Sequence, residues 1–146
     1  MKLYLDNSFL NRPFDDLAIG LNKSEAQALL LIIDLARRGS VTLVNSALIE
    51  YENAENPFLN RRLFVMRVMG LATIYQAVDW TIEERATIIM EEMNLQPIDA
   101  AHIAAAEVAQ VDFFITCDYT VVKRYRGAIN VTTPLLFVYG HKNHRT

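Results

Sequence analysis

The sequence predicts an α/β domain in which a short parallel sheet of four or five strands lies between two layers of helices. Short apolar segments alternate with longer amphipathic ones along the whole chain, an order typical of a parallel sheet covered on both faces. The length of 146 residues fits one hydrophobic core. No linker divides the chain, so we expect one domain over residues 1–140 and a polar tail over 141–146.

Five segments have the length and composition of buried strands. The first is Lys2–Leu5, an apolar run that stops at Asp6. The second, 41–44, is rich in β-branched residues, which favour strands. The remaining predicted strands are 72–75, 112–116 and 129–131.

Helical periodicity and capping residues predict the elements between these strands. Ser24 is predicted to cap the first long helix and Gly39 to stop it. Ser46 and Thr81 are predicted to cap later helices, and Pro97 lies in the first turn of another. The remaining predicted bounds are helices at 47–53, 60–69, 98–109 and 134–139, a helix ending near 93, a short one ending near 125, and a loop at 11–16.

Composition excludes several classes of protein. With 14 Lys and Arg against 17 Asp and Glu, the net charge of −3 argues against nucleic-acid binding through bulk positive charge, although it does not exclude a nuclease. No apolar run approaches the roughly 20 residues of a membrane span, and the first residues do not resemble a signal peptide. A single cysteine, Cys117, forms neither an internal disulfide nor a Cys-rich zinc site, so we expect a cytoplasmic protein.

Carboxylates are predicted to gather at one edge of the sheet. Asp6 and Asp118 each follow a predicted strand, and ligands of open parallel sheets bind at the carboxyl ends of strands. Asp99 lies in the first turn of a helix, and Glu50 and Glu52 lie on the helix after the second strand. Carboxylate oxygens without His or Cys partners suit Mg²⁺ or Mn²⁺, so the pattern predicts a metal-dependent phosphodiesterase site.

Each of these acids also has a simpler interpretation. An Asp near a helix N-terminus commonly offsets the helix dipole, and an Asp after a strand is commonly a turn residue. For any one of them the simpler interpretation is preferable. Their joint placement favours the metal site.

Four segments of the chain form a set of motifs. They are LYLDNS at 3–8, VNSALIEYE at 44–52, DAAHIAAA at 99–106 and FFITCD at 113–118. In order and spacing they are similar to motifs of the PIN-domain ribonucleases, the family that includes VapC-type toxins and several RNA-processing nucleases. The extension at 11–16 and the segment 52–58 are similar to a subgroup of small stand-alone bacterial PIN proteins.

The resemblance implies a three-layer α/β/α PIN-like fold and a set of catalytic metal ligands. Carried over by position, it assigns Asp6, Asp99 and Asp118 to the metal, with a Glu from the acidic helix. Glu52 fits the family spacing slightly better, and Glu50 remains an alternative. Residues two apart on a helix diverge by about 200°, so both cannot face the metal equally.

The resemblance also assigns supporting hydroxyl groups. It implies that Thr116 orients a carboxylate or a water, and that Ser8 does the same for Asp6. The family usually has Thr or Ser directly after the first Asp, whereas this chain has Asn7, whose amide can still donate a hydrogen bond.

Several other residues have two interpretations. His102 shares a helix face with Asp99 and can donate to that carboxylate or to RNA, but a packing role in an Ala-rich helix is preferred. Lys123, Arg124 and Arg126 form either a groove for the RNA backbone or a solvated helix face. Cys117 is interpreted as a small buried apolar residue.

The sequence therefore predicts a Mg²⁺- or Mn²⁺-dependent endoribonuclease, either the toxin of a toxin–antitoxin pair or a stand-alone RNA processor. Its expected partners are RNA, an antitoxin protein and, by resemblance, a second copy of the chain. One rival is a catalytically weak or inactive PIN domain that binds RNA or protein. A phosphotransfer domain ranks last, because the sequence contains no Gly-rich phosphate loop.

Overall fold

The computed structural model describes the backbone of residues 1–143 and the side chains of residues 1–140. In this range five strands and eight α-helices alternate, which confirms the predicted α/β class. The strands are β1 Lys2–Leu5, β2 Thr42–Ser46, β3 Ile74–Gln76, β4 Phe113–Ile115 and β5 Asn130–Thr132. The helices are α1 Asn7–Leu10, α2 Gly20–Arg37, α3 Ala47–Glu55, α4 Leu59–Met69, α5 Trp80–Met93, α6 Pro97–Val108, α7 Tyr119–Arg124 and α8 Pro134–Asn143.

The five strands form one parallel sheet in the order β3-β2-β1-β4-β5. β1 lies at the centre, where Leu3 is in register with Leu43 of β2 and with Phe113 of β4. Its side chains from Leu3 to Leu5 are fully buried, which explains why this segment is a continuous apolar run. Because all strands are parallel, their carboxyl ends share one edge of the sheet.

The helices pack in pairs against this sheet. α5 lies along α6, and α2 lies along α8. α6 approaches its neighbours closely, because its alanines at 100, 104, 105 and 106 are fully buried and carry only a methyl group. The two helical layers around the sheet complete the predicted three-layer architecture.

The end of α2 was predicted correctly, but its beginning was not. Gly39 has a φ of +77°, and the amides of Gly39 and Ser40 bond back to the carbonyls of Ala36 and Leu35, as in a Schellman motif. At the other end α2 already starts at Gly20, so Ser24 lies inside the helix and does not cap it.

Two further local predictions are wrong. α5 is capped by Asp79, whose carboxylate accepts from the amide of Ile82 at 3.2 Å, so Thr81 lies within the helix. The predicted loop at 11–16 contains a 3₁₀-helix, Arg12–Phe14. In both places a nearby polar side chain offered a competing cap or turn signal.

Ser46 and Pro97 lie where the sequence predicted. The Ser46 hydroxyl accepts from the amide of Ile49, and Pro97 is the first residue of α6. α8 continues to Asn143, into the segment predicted to be a tail, and residues 144–146 lie outside the described residues. Within the part of the chain that the structure describes, no helix combines the length and apolarity of a membrane span.

Candidate metal centre

Asp6 lies at the carboxyl end of the central strand and is held by two hydroxyl groups. Its amide donates to the carbonyl of Ile115 at 2.9 Å, which fixes the backbone against β4. Its Oδ2 accepts from Ser8 at 2.9 Å and from Thr116 at 2.8 Å. Ser8 thus supplies a hydroxyl near Asp6 although Asn7 occupies the position where PIN domains usually have Thr or Ser.

The end of β4 brings a second carboxylate to the same edge. The Thr116 hydroxyl that donates to Asp6 also accepts from the amide of Asp118 at 3.0 Å. Asp118 caps α7, because its Oδ1 accepts from the amides of Thr120 at 2.9 Å and Val121 at 3.4 Å. Thr116 therefore links the two aspartates through one buried hydroxyl.

The two glutamates of α3 have different surroundings. Glu52 contacts Nε2 of His102, and one atom from each of Asp6, Glu52 and His102 lies within 4.8 Å of the others. Glu50 instead accepts from the hydroxyl of Tyr75 on β3 at 2.6 Å and lines a neighbouring surface cleft. The structure brings Glu52 to Asp6 and leaves Glu50 outside this group.

Asp99 completes the acidic group electrostatically. Burial, together with the negative charges of Asp6, Asp118 and Glu52, raises its pKa to about 6, against the opposing effect of His102. No described residue donates a hydrogen bond to its carboxylate. The Asp99 side chain therefore lies within the electrostatic reach of all three other predicted ligands.

His102 contributes more than packing, the role that the sequence favoured. Its side chain is fully buried in α6, and both ring nitrogens have partners: Nδ1 meets the hydroxyl of Tyr4 at 2.6 Å, and Nε2 meets Glu52. The partner is Glu52 and not Asp99, the carboxylate weighed from sequence. Only the position of His102 one helical turn after Asp99 signalled its place at the site.

The donor set fits a hard divalent cation. Asp6 Oδ1, Asp118 Oδ2, Glu52 Oε2 and both oxygens of Asp99 accept no hydrogen bond from any described residue. Four carboxylates that share one edge repel one another unless a cation lies among them. Oxygen-only ligands of this kind suit Mg²⁺ or Mn²⁺.

Two of the basic residues near α7 donate hydrogen bonds to backbone carbonyls. Arg124 donates to the carbonyl of Asn94 at 2.7 Å, which ties α7 to the end of α5. Arg126 donates to the carbonyls of Lys123 and Tyr125 at 2.9 and 2.8 Å. All three basic side chains, at 123, 124 and 126, remain exposed.

Cys117 lies beside the site but is not placed to react. It is buried, and burial together with the charge of Glu25 raises the pKa of its thiol to about 12. A thiol with so high a pKa is a poor nucleophile at neutral pH. This agrees with its interpretation as a small buried residue.

Comparisons with known proteins find likeness in structure alone. No protein-family model matches the sequence, and no curated protein matches it. VapBC2 from Rickettsia felis, solved bound to a DNA fragment from its promoter, matches with a TM-score of 0.60 and 12% identity, over 91% of this chain and 98% of the matched chain. PAE2754 from Pyrobaculum aerophilum matches with a TM-score of 0.58 and 16% identity, over 98% and 96%.

At these identities the matches establish the fold, and they extend over nearly the full length of each chain. The sequence resemblance described above is thereby confirmed at that level. The chain has the three-layer α/β/α PIN-like fold of VapC-type proteins.

Proposed function

We propose that this protein is a Mg²⁺- or Mn²⁺-dependent endoribonuclease that hydrolyses RNA phosphodiester bonds. The observation that supports the proposal is the grouping of Asp6 and Glu52 with His102 at the carboxyl edge of the sheet, with Asp99 in the field of Asp6, Asp118 and Glu52, on a fold shared with a VapC-type protein. We also propose a cytoplasmic location, where RNA substrates are present.

One or two cations held by these carboxylates would activate a water for attack on phosphorus and stabilise charge on the leaving oxygen. The chain's own residues set the geometry. Ser8 and Thr116 fix one oxygen of Asp6 and leave the other free, and the amides at the start of α7 do the same for Asp118. No protein nucleophile is needed.

Cleavage of a labelled single-stranded RNA, with and without Mn²⁺, tests the proposal. We expect Asp6→Asn, Asp99→Asn and Glu52→Gln to lose at least 100-fold in rate. Glu50→Gln is the matched control, since it removes the same charge from the same helix but from a carboxylate bonded to Tyr75. Equal rates in all five proteins, or no cleavage of any RNA by the wild type with Mn²⁺, would contradict the proposal.

We further propose that the protein pairs with an antitoxin and forms a homodimer. The VapBC2 neighbour is a toxin–antitoxin complex, and α4 with the residue before it leaves large apolar side chains exposed. These are Phe58, Leu59, Leu63 and Met66, exposed by 57, 59, 50 and 62%. Patches of this kind mark protein contacts. Light scattering tests the dimer, and growth arrest on expression, relieved by a neighbouring gene, tests the toxin role.

We propose that the RNA backbone is contacted by Lys123, Arg124 and Arg126, because they follow Asp118 on an exposed segment.

A second candidate function is a binding module without catalysis. The exposed apolar side chains of α4 and Phe58 support it. A Mn²⁺ titration followed by thermal unfolding separates the two, since a cation bound only by the folded state raises its stability. No shift at millimolar Mn²⁺ would favour the binding module.

A further inference from the structure

A continuous line of buried hydrogen bonds runs from the start of α3 to Glu52. The amide of Ile49 donates to the Ser46 hydroxyl at 3.1 Å, and that hydroxyl lies 2.7 Å from the hydroxyl of Tyr4. The Tyr4 hydroxyl lies 2.6 Å from His102 Nδ1, and His102 Nε2 contacts Glu52. The side chains of Ser46, Tyr4 and His102 are fully buried.

The number of protons in this line fixes its direction. The Ser46 hydroxyl has no described acceptor other than Tyr4, so its proton goes to Tyr4 and the Tyr4 proton goes to His102 Nδ1. His102 then carries its proton on Nε2 and donates it to Glu52. Every buried donor and acceptor has a partner in this arrangement.

The opposite direction leaves groups without partners. A proton on Nδ1 would turn the Tyr4 proton toward Ser46, whose own hydroxyl proton would then have no described acceptor. In the neutral ring, a lone pair on Nε2 would also face the Glu52 carboxylate. Two acceptors in contact and one buried donor without an acceptor are both unfavourable.

We infer that His102 is a positioning residue, which holds Glu52 at the metal centre through its Nε2 proton and does not itself bind the cation. The inference rests on the proposed function. Both lone-pair positions of the ring are engaged, one by a proton and one by Tyr4, so the ring offers no donor to a metal. The centre is thereby restricted to oxygen ligands, which favours Mg²⁺ and Mn²⁺ over ions that prefer nitrogen.

The first test needs no metal. Nitrogen-15 NMR of the labelled, metal-free wild type should show one histidine with the proton on Nε2, a signal that His102→Gln removes and that distinguishes it from the other two histidines. Tyr4→Phe removes the donor to Nδ1 and should leave the proton on Nε2, because Glu52 still accepts it. A His102 signal with the proton on Nδ1 would overturn the inference.

The second test measures Mn²⁺ affinity by calorimetry. The amide nitrogen of Gln can reach the place of Nε2, whereas that of Asn reaches the place of Nδ1. We expect His102→Gln to bind Mn²⁺ within about 3-fold of the wild type and His102→Asn to bind about 10-fold or more weakly, the usual effect of losing such a partner. Equal affinities, or equal losses in both variants, would overturn the inference.

The two tests separate the inference from the function on which it rests. If the wild type fails to bind Mn²⁺, the proposed function fails while the metal-free tautomer still tests the hydrogen-bond line. Thermal unfolding of the metal-free variants provides the folding control. A variant that does not fold leaves the wild-type NMR measurement as the deciding one.

Discussion

At the scale of single residues, Asp99 shows most clearly how the acidic site lowers the stability of the metal-free protein. A carboxyl of its type titrates at 3.8, but burial and neighbouring carboxylates raise its pKa in the folded protein to about 6. Folding therefore takes up a proton between these values, and the stability of the protein falls as the pH rises through them. The penalty is fully present above pH 6 and absent below pH 3.8.

Asp99→Asn should therefore stabilise the metal-free protein at neutral pH. We expect the free energy of unfolding to rise by about 1 kcal/mol at pH 7, after allowance for solvent screening of a half-buried group, and to be unchanged at pH 3.5. Urea denaturation at both pH values measures this change, with Glu91→Gln as a control at an exposed position. A variant less stable than the wild type at pH 7 would contradict the repulsion.

Thr116 is a second residue whose role is sharply defined, because its one hydroxyl serves two aspartates. Thr116→Val keeps the shape but leaves the amide of Asp118 unpaired and removes one donor from Asp6. We expect a loss of about 1–3 kcal/mol in the free energy of unfolding, together with weaker Mn²⁺ binding. Thr116→Ser restores the hydroxyl and should recover both quantities. If Val and Ser behave alike, the hydroxyl has no such role.

At the scale of elements, a buried ion pair joins three parts of the fold near the site. Glu25 of α2 is fully buried, and its carboxylate accepts from Arg12 at 3.0 Å and from the hydroxyl of Tyr119 at 3.1 Å. Tyr119 directly follows Asp118, so this network anchors the start of α7. The position of one predicted ligand thus depends on a helix far from it in sequence.

Replacing one partner of this ion pair should lower the free energy of unfolding far more than replacing both partners. We expect Arg12→Met to cost about 3–5 kcal/mol, since it leaves the buried Glu25 without its guanidinium partner, and Glu25→Leu in the same chain to restore much of that loss. Urea denaturation of the two single variants and the double variant measures the coupling. Strictly additive changes would show that the pair is not coupled.

Element boundaries also show where sequence reasoning succeeds and where it fails. Gly39 was predictable because few residues other than glycine adopt a positive φ readily. Ser24 and Thr81 were misleading, because Ser and Thr also occur inside the first turns of a helix, as they do in α2 and α5. The cap of α5 is Asp79, two residues before Thr81, and α2 starts at Gly20 without a side-chain cap.

At the scale of the whole molecule, the sequence predicts that the sheet is parallel, and it predicts the site only in outline. The alternation of strands and helices required parallel strands, and parallel strands brought Asp6 and Asp118 to one edge. Periodicity could not choose between Glu50 and Glu52, because that depends on Tyr75 and His102, which belong to distant elements. It could not place His102 in the site for the same reason.

The position of β1 at the centre of the sheet has a consequence for synthesis on the ribosome. This strand emerges first, yet its partner on one side, β4, is residues 113–115, more than a hundred positions later. Contacts of such long sequence separation form late, because the loop between them must first be closed. Asp6 therefore meets Thr116 and Asp118 only late, and the proposed metal site cannot assemble until nearly all of the domain has been made.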